Sequence, residues 1–362
     1  MKFIFSKYVF RKWLFLPALA VVTFILTEIF SANPEFAETY YGQKIYPAIA
    51  GTLSQISALL PFSIDDVFYV SLILAAFVLL ILLFFRRISM KTTGKTVLNI
   101  LAAVYILFYF LWGFNYFRPG LNQRLELENR QANTEEFLNV FRELVENTNQ
   151  WYSSFENANY IEIDSLVELS YKKLAPALEL KYPAGIRTAK NITFGRFFAQ
   201  AGISGYYGPF FNEVQINPHN LPVEYPFVLA HEKAHQFGIT GEAEANFYAW
   251  LVCSQSNSKK LRYSANLIIL RYFIYQGYQL EGFEELAEKI NDPVKNDLRR
   301  IREHWLQLRN EKIDRVATKV NDAYLKTNKV EKGIEDYHGV VKHVMDFKLD
   351  SIFQQRWNLI SE

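Results

Sequence analysis

The run HEKAH places His231 and His235 four residues apart, with Glu232 directly after the first histidine. On an α-helix, residues four apart share a face, so two imidazoles at this spacing can hold one metal ion. Glu232 then stands beside that ion. A carboxylate in that place can take a proton from a water whose pKa the metal has lowered, and later pass it to a leaving amine. Zn²⁺ is the expected metal, although a His/His/Glu set is shared by several divalent ions.

A catalytic zinc needs a third protein ligand and an open position. Pro226 suits the first turn of a helix, and Gly238 can adopt the left-handed conformation that ends one. The segment FGITG then turns the chain back toward the metal with two carboxylates, Glu242 and Glu244. Glu242 shares a helical face with Ala245, Asn246 and Ala249, where small residues allow close packing and Asn246 can orient a ligand imidazole. Glu244 falls on another face, with Tyr248 and Leu251. Glu242 is therefore the expected third ligand and Glu244 the alternative. Phe227, Ala230, Ala234 and Gly238 share the histidines' face, which should be the buried one, and Lys233 should point to the exposed side.

The elements that position this motif begin with a membrane part. Residues 13–30, 67–85 and 97–117 are apolar runs long enough to cross roughly 30 Å of hydrocarbon as helices. A cleaved signal peptide is the alternative for the first, but no clear A-x-A site follows it. Lys2, Lys7, Arg11 and Lys12 precede the first span, and Arg86, Arg87, Lys91 and Lys95 lie between the second and third. Basic residues in short loops stay cytoplasmic, so everything after Phe117 should lie outside the cytoplasm, as in the periplasm beyond an inner membrane. Tyr105, Tyr109, Trp112, Tyr116 and Phe117 form an aromatic belt toward the outer end of the third span.

From residue 118 to 362 the composition is that of a soluble domain. Helical spacing appears at 134–149, 164–181, 261–280, 283–291, 294–310 and 313–326, whereas 190–217 reads as short strands and turns. The fold class is α+β, with a membrane domain at 1–117 and a soluble domain at 118–362. The chain carries 39 Lys and Arg against 37 Asp and Glu, so nothing suggests a nucleic-acid partner. A single cysteine, Cys253, excludes an intrachain disulfide and reads as a packed, inert thiol. His219, His304, His338 and His343 lack ligand spacing and read as structural or surface residues.

The segments SGYYGPFFNEVQIN, HEKAHQFG, GEAEANFYAWLVC and RYSANL resemble the Domain of Unknown Function 3810 family of bacterial membrane zinc peptidases. The resemblance implies a mainly helical zincin-like domain with a small edge sheet, the run GPFFNEVQIN being the strand that pairs with extended peptide. Glu213 and Tyr207 could face substrate there, against a reading as surface or turn residues. The E-x-E-A-N segment is similar to the E-x-x-x-D of gluzincin peptidases, which again selects Glu242, with Asn246 in place of the Asp. Gly241 occupies the third-histidine position of metzincins and excludes that assignment. Tyr263 and Arg262 could stabilise a tetrahedral oxyanion, against a reading of Tyr263 as buried and satisfied elsewhere.

These readings lead to a zinc metallopeptidase acting on extracytoplasmic peptides or proteins, with Glu232 activating the attacking water. A silent zinc- or peptide-binding scaffold of the envelope is the alternative, since a motif does not guarantee turnover. An intramembrane protease is excluded, because Glu224, Glu232, Lys233, Glu242 and Glu244 crowd the motif.

Overall fold

Three helices, Lys12–Ala32, Ile64–Phe84 and Met90–Leu111, are long and apolar enough to cross a membrane. The computed structural model describes residues 12–183, 185, 187–330 and 333–361, so Lys2, Lys7, Arg11 and the side chain of His338 lie outside the described residues. Ser63 starts the second span by accepting from the Asp66 amide, and Ser89 starts the third by accepting from Thr92. Along the spans, Phe24, Ile73, Leu80 and Leu101 are exposed, as lipid-facing residues must be.

The third span corrects the sequence reading. It begins seven residues earlier than expected, at Met90, and ends at Leu111. Trp112 leaves helical geometry with φ −155°, and Gly113–Phe117 form a tight 3₁₀ turn. The aromatics beyond Leu111 look like membrane residues by composition, yet Trp112, Phe114 and Phe117 pack into a protein core with Tyr41 and Tyr46. Apolarity at a span's end reports burial of either kind, in lipid or in protein.

That second core also joins the two halves of the chain. A π-helical stretch, Ala37–Ile45, and the helix Tyr46–Ala58 follow the first span and fold back on the later domain. Glu38 pairs with Arg118 at 2.5 Å, and Tyr46 donates to the carbonyl of Gln236 at 2.9 Å. Residues before 118 therefore build part of the body that holds the motif.

The main core is helical. The helices Tyr225–Gln236, Glu242–Ser254 and Lys259–Gly277 fill its centre, with Thr134–Gln150 and Tyr160–Leu174 around them. Asn133 and Glu136 form a capping box at the start of one of these, and Asn159 caps another. The tail helices Phe283–Glu288, Asp292–Leu308 and Glu311–Thr327 lie where the apolar periodicity puts them, and Val340–Leu349 and Ser351–Ser361 follow.

Between residues 190 and 217 lie three short strands, β1 Lys190–Asn191, β2 Gly205–Gly208 and β3 Glu213–Ile216, and a helix Gly195–Gln200 that the Gly- and Phe-rich sequence conceals. Their order is β1-β3-β2, with β1 parallel and β2 antiparallel to β3. The expected edge strand within GPFFNEVQIN is thus central, and the two edges are β1 and β2, the latter being the run GYYG. All four residues of β3 are buried, which is the physical reason.

Candidate metal centre

The helix Tyr225–Gln236 has no exposed face: every residue from Pro226 to Gln236 is buried. Pro226 lies in its first turn, and Gly238 ends it with φ +77°, the conformation that favours glycine. A Cβ at Gly238 would stand 2.5 Å from the Asn115 side chain, so packing demands glycine as well. The last carbonyls of a helix have no partners within it. Here they are met from outside: Trp112 Nε1 donates to His235 O at 3.0 Å, Tyr46 to Gln236 O, and Arg118 to Phe237 O and Gly238 O. The Arg118 charge at this end also suits the helix dipole.

Within that frame, the Nε2 atoms of His231 and His235 approach to 3.2 Å. Glu242, on the first turn of the next helix, brings Oε2 to 3.1 Å from His231 Nε2 and 3.7 Å from His235 Nε2. Neither imidazole needs Nε2 for a hydrogen bond of its own. His231 Nδ1 meets Asn246 Oδ1 at 2.9 Å and His235 Nδ1 meets the Ile239 carbonyl at 2.7 Å, acceptors that hold the proton on Nδ1 in both rings. Three lone pairs then face one point. Tetrahedral ligands on bonds of about 2.0–2.1 Å lie about 3.3 Å apart, close to the separations found. Glu242 Oε2 is moreover a buried acceptor that finds the two Nε2 atoms beside it as its partners, so a cation among the three would satisfy it. His231, Glu232 and His235 together form a buried group able to hold a metal ion.

The electrostatics favour positive charge. Burial opposes charging His235, but Glu242 and Glu232 overcome it and lift the imidazole to about 9. Burial works against Glu242 too, yet the two histidines hold its carboxyl well below the usual range. Burial pushes Glu232 up to about 7, with the histidines pulling down and Glu242 pushing up. Glu232 rests against β2: a Cβ on Gly205 would stand 2.7 Å from its Oε1. Glycine there makes room for the carboxylate.

Lys233 corrects the sequence reading. It is fully buried, not exposed, and its ammonium meets Glu168 Oε1 at 2.6 Å, Asp164 Oδ1 at 2.8 Å and the Arg187 carbonyl at 2.6 Å. Three acceptors satisfy three donors. Arg187 pairs with Glu168 at 2.7 Å, and Tyr182 donates to the same carboxylate. This network lies on the far side of the helix from the imidazoles and fastens it to Tyr160–Leu174.

The other candidates take separate places. Glu244 binds Arg124 at 2.6 Å and the Leu121 amide at 2.7 Å, away from the three converging atoms. Tyr263 donates to Asp297 at 2.6 Å, and Arg262 stacks on Trp151 while donating to the Ser256 carbonyl, so these two side chains serve helix packing. Glu213 is buried, against its reading as a surface or turn residue. It accepts from Lys190 at 2.6 Å, from Ser57 and Ser63, and from the Ile64 and Asp65 amides at the start of the second span. Tyr207 bonds Tyr46 at 3.2 Å, with its ring near those of Trp112 and His235. Cys253 is buried, with Sγ beside the Pro226 carbonyl. His304 meets the His219 carbonyl, and the His343 ring packs on Phe247.

One neighbour escapes sequence reasoning. Tyr337, in a 3₁₀ segment Gly333–Gly339, stands at Glu242; after burial, the charges of Glu242 and Glu232 hold its phenol well above the ordinary range. No periodicity marks that segment. Its position could only come from the fold.

A family model described as protein of unknown function (DUF3810) matches residues 41–345, and the chain belongs to that family. No curated protein and no solved structure matches the chain.

Proposed function

We propose that this protein is a zinc-dependent metallopeptidase hydrolysing extracytoplasmic peptides or proteins, fixed in the cell's inner membrane with its motif domain outside the cytoplasm. The observation that most supports it is the convergence of His231, His235 and Glu242 beside a fourth group, Glu232, which a simple metal holder does not need. The HExxH helix, glycine turn and second glutamate-bearing helix beside a small sheet fit a zincin-like domain, and E-x-x-x-N sets Glu242 at the gluzincin ligand position. The orientation is supported by Arg86, Arg87, Lys91 and Lys95 between two spans, against Glu35, Glu38, Asp65 and Asp66 at the other end.

Zinc, when bound, supplies Lewis acidity toward a water and a scissile carbonyl. The chain's own residues do the rest. Asn246 and the Ile239 carbonyl keep the imidazole protons on Nδ1, leaving Nε2 for the ion. Glu232 takes the proton of the attacking water on its carboxylate and returns it to the leaving amine. β2 lies at the edge of the sheet beside Glu232, where its backbone can pair with extended peptide.

A second reading, a metal-binding scaffold without turnover, is favoured by the burial of His231, Glu232 and His235, each less than a tenth exposed. Cleavage of a quenched peptide library by purified wild type and by Glu232→Gln decides between them. Turnover in wild type alone supports the peptidase; equal residual turnover in both, or none in either with metal bound, supports the scaffold.

A further inference from the structure

The helix Glu311–Thr327 exposes an apolar stripe that protein covers only at its Tyr324 end. Val316 and Val320 are each 63% exposed and Tyr324 is 40% exposed. At spacings of four these residues share one face, which Ala323 extends. Single exposed apolar residues are ordinary, but a continuous stripe on an otherwise charged helix is not. Lys312, Arg315, Lys319 and Lys326 are also exposed on this helix.

Both ends of the helix are tied to the membrane spans. At its C-terminal end the Tyr324 ring contacts Phe108, Asn328 accepts from Tyr109, and Lys329 pairs with Glu28. Phe108 and Tyr109 lie in the last turn of the third span, and Glu28 near the end of the first. At its N-terminal end the Asn310 amide donates to Gln200, the last residue of the helix Gly195–Gln200. Just before that helix, Thr193 bonds Asp66 in the first turn of the second span. Beside that anchor, Phe194 and Phe197 are 53% and 57% exposed. The apolar stripe is therefore continuous with the surface that the spans present to lipid.

We propose that Glu311–Thr327 is an interfacial helix, resting Val316, Val320 and the open edge of the Tyr324 ring on the outer leaflet among lipid acyl chains while its lysines and Arg315 reach the phosphate layer. An amphipathic helix with basic flanks binds a bilayer surface in this way, the apolar face sinking to the headgroup boundary and the long cationic chains snorkelling outward. This surface adds a fourth membrane contact to the three spans and does not rest on the catalytic reading. It bears on the site nonetheless. Tyr324 bonds Tyr116, and the Glu242 charge acts on both phenols, so the C-terminal end of the helix lies in the electrostatic reach of the candidate centre.

Single cysteines at Val316, Val320 and, as a reference, Glu285 would carry an environment-sensitive NBD fluorophore on the full chain in phosphatidylcholine nanodiscs. Cys253 is buried and stays unlabelled. The discs would contain a doxyl quencher high on the acyl chain, near its tail end, or none. The proposal expects blue-shifted emission at 316 and 320, a loss of about half of it with the high quencher, and less with the deep one, while Glu285 is unaffected. Quenching at 316 and 320 no greater than at Glu285, with equal access to aqueous iodide, would overturn it. Blue-shifted emission that neither lipid quencher touches would also overturn it, assigning the stripe to a second protein surface. Metal content and elution volume equal to wild type show that each labelled variant is folded.

Discussion

His231 and His235 turn their Nε2 atoms toward each other at 3.2 Å while both Nδ1 atoms face oxygen acceptors. Two imidazole lone pairs so placed repel unless a proton or a metal ion lies between them. Asn246 controls one of these rings. Replacing it with leucine, which accepts no hydrogen bond, should weaken metal binding about 10–100-fold, and Asn246→Asp should restore or strengthen it. Competition with a fluorescent chelator measures both.

Gly205 should be indispensable to turnover and dispensable for the metal. A Cβ there would displace Glu232, whose Oε1 lies 2.7 Å from the position that Cβ would take. A shift of about 1 Å in a reacting group can cost about 10²-fold. Gly205→Ala should therefore lose about 10²-fold in kcat with metal stoichiometry unchanged. An unaltered kcat would remove Glu232 from the role of base.

The network under the motif should carry stability. Lys233→Met leaves the Asp164 and Glu168 carboxylates without their shared cation, and breaking a buried pair from one side costs about 3–5 kcal/mol. Chemical denaturation in detergent would show it. A loss below about 1 kcal/mol would mean that Arg187 alone suffices for Glu168.

Glu168 gives that network a pH signature. Burial raises its carboxyl, but Lys233 and Arg187 win and bring it from 4.5 to about 2. The folded pKa is lowered, so its contribution is complete above about 4.5 and is lost as pH falls toward 2. Melting temperature should fall with acid over that window more steeply in wild type than in Glu168→Gln. Parallel curves would contradict the assignment.

A fragment limited to residues 118–362 should not hold its fold. It would lose Trp112 and Tyr46 from the end of the motif helix Tyr225–Gln236, Glu38 from Arg118, and Ser57, Ser63 and two span amides from Glu213. Each loss strands a buried polar group. Rapid proteolysis of the fragment beside a resistant full chain in detergent is expected, whereas a soluble monomer that binds metal would show the two parts to be separable.

How much of this was legible in the sequence depends on distance along the chain. His231, His235, Gly238, Glu242 and Asn246 fall within sixteen residues, and helical repeat plus one glycine turn fixes their relation. The burial of Lys233 is hidden because the same repeat cannot say that another helix covers the second face, and its partners Asp164 and Glu168 lie more than sixty residues upstream. Trp112 and Phe117 resemble membrane residues because hydropathy does not distinguish lipid from an aromatic core. The central place of β3 is hidden because it is set by pairing with β1, a two-residue strand too short to carry a pattern. Tyr337 had no signal at all.

On the proposed reading, His231, His235 and Glu242 jointly hold one metal ion. Metal content by mass spectrometry on the purified full chain tests it most directly, in wild type, Glu232→Gln, His235→Ala and Glu242→Ala. About one zinc per chain in wild type and Glu232→Gln, with loss in His235→Ala and Glu242→Ala, is the predicted result. Retention of the metal in both ligand variants, or a wild type that takes up none from zinc-supplemented buffer, would contradict it.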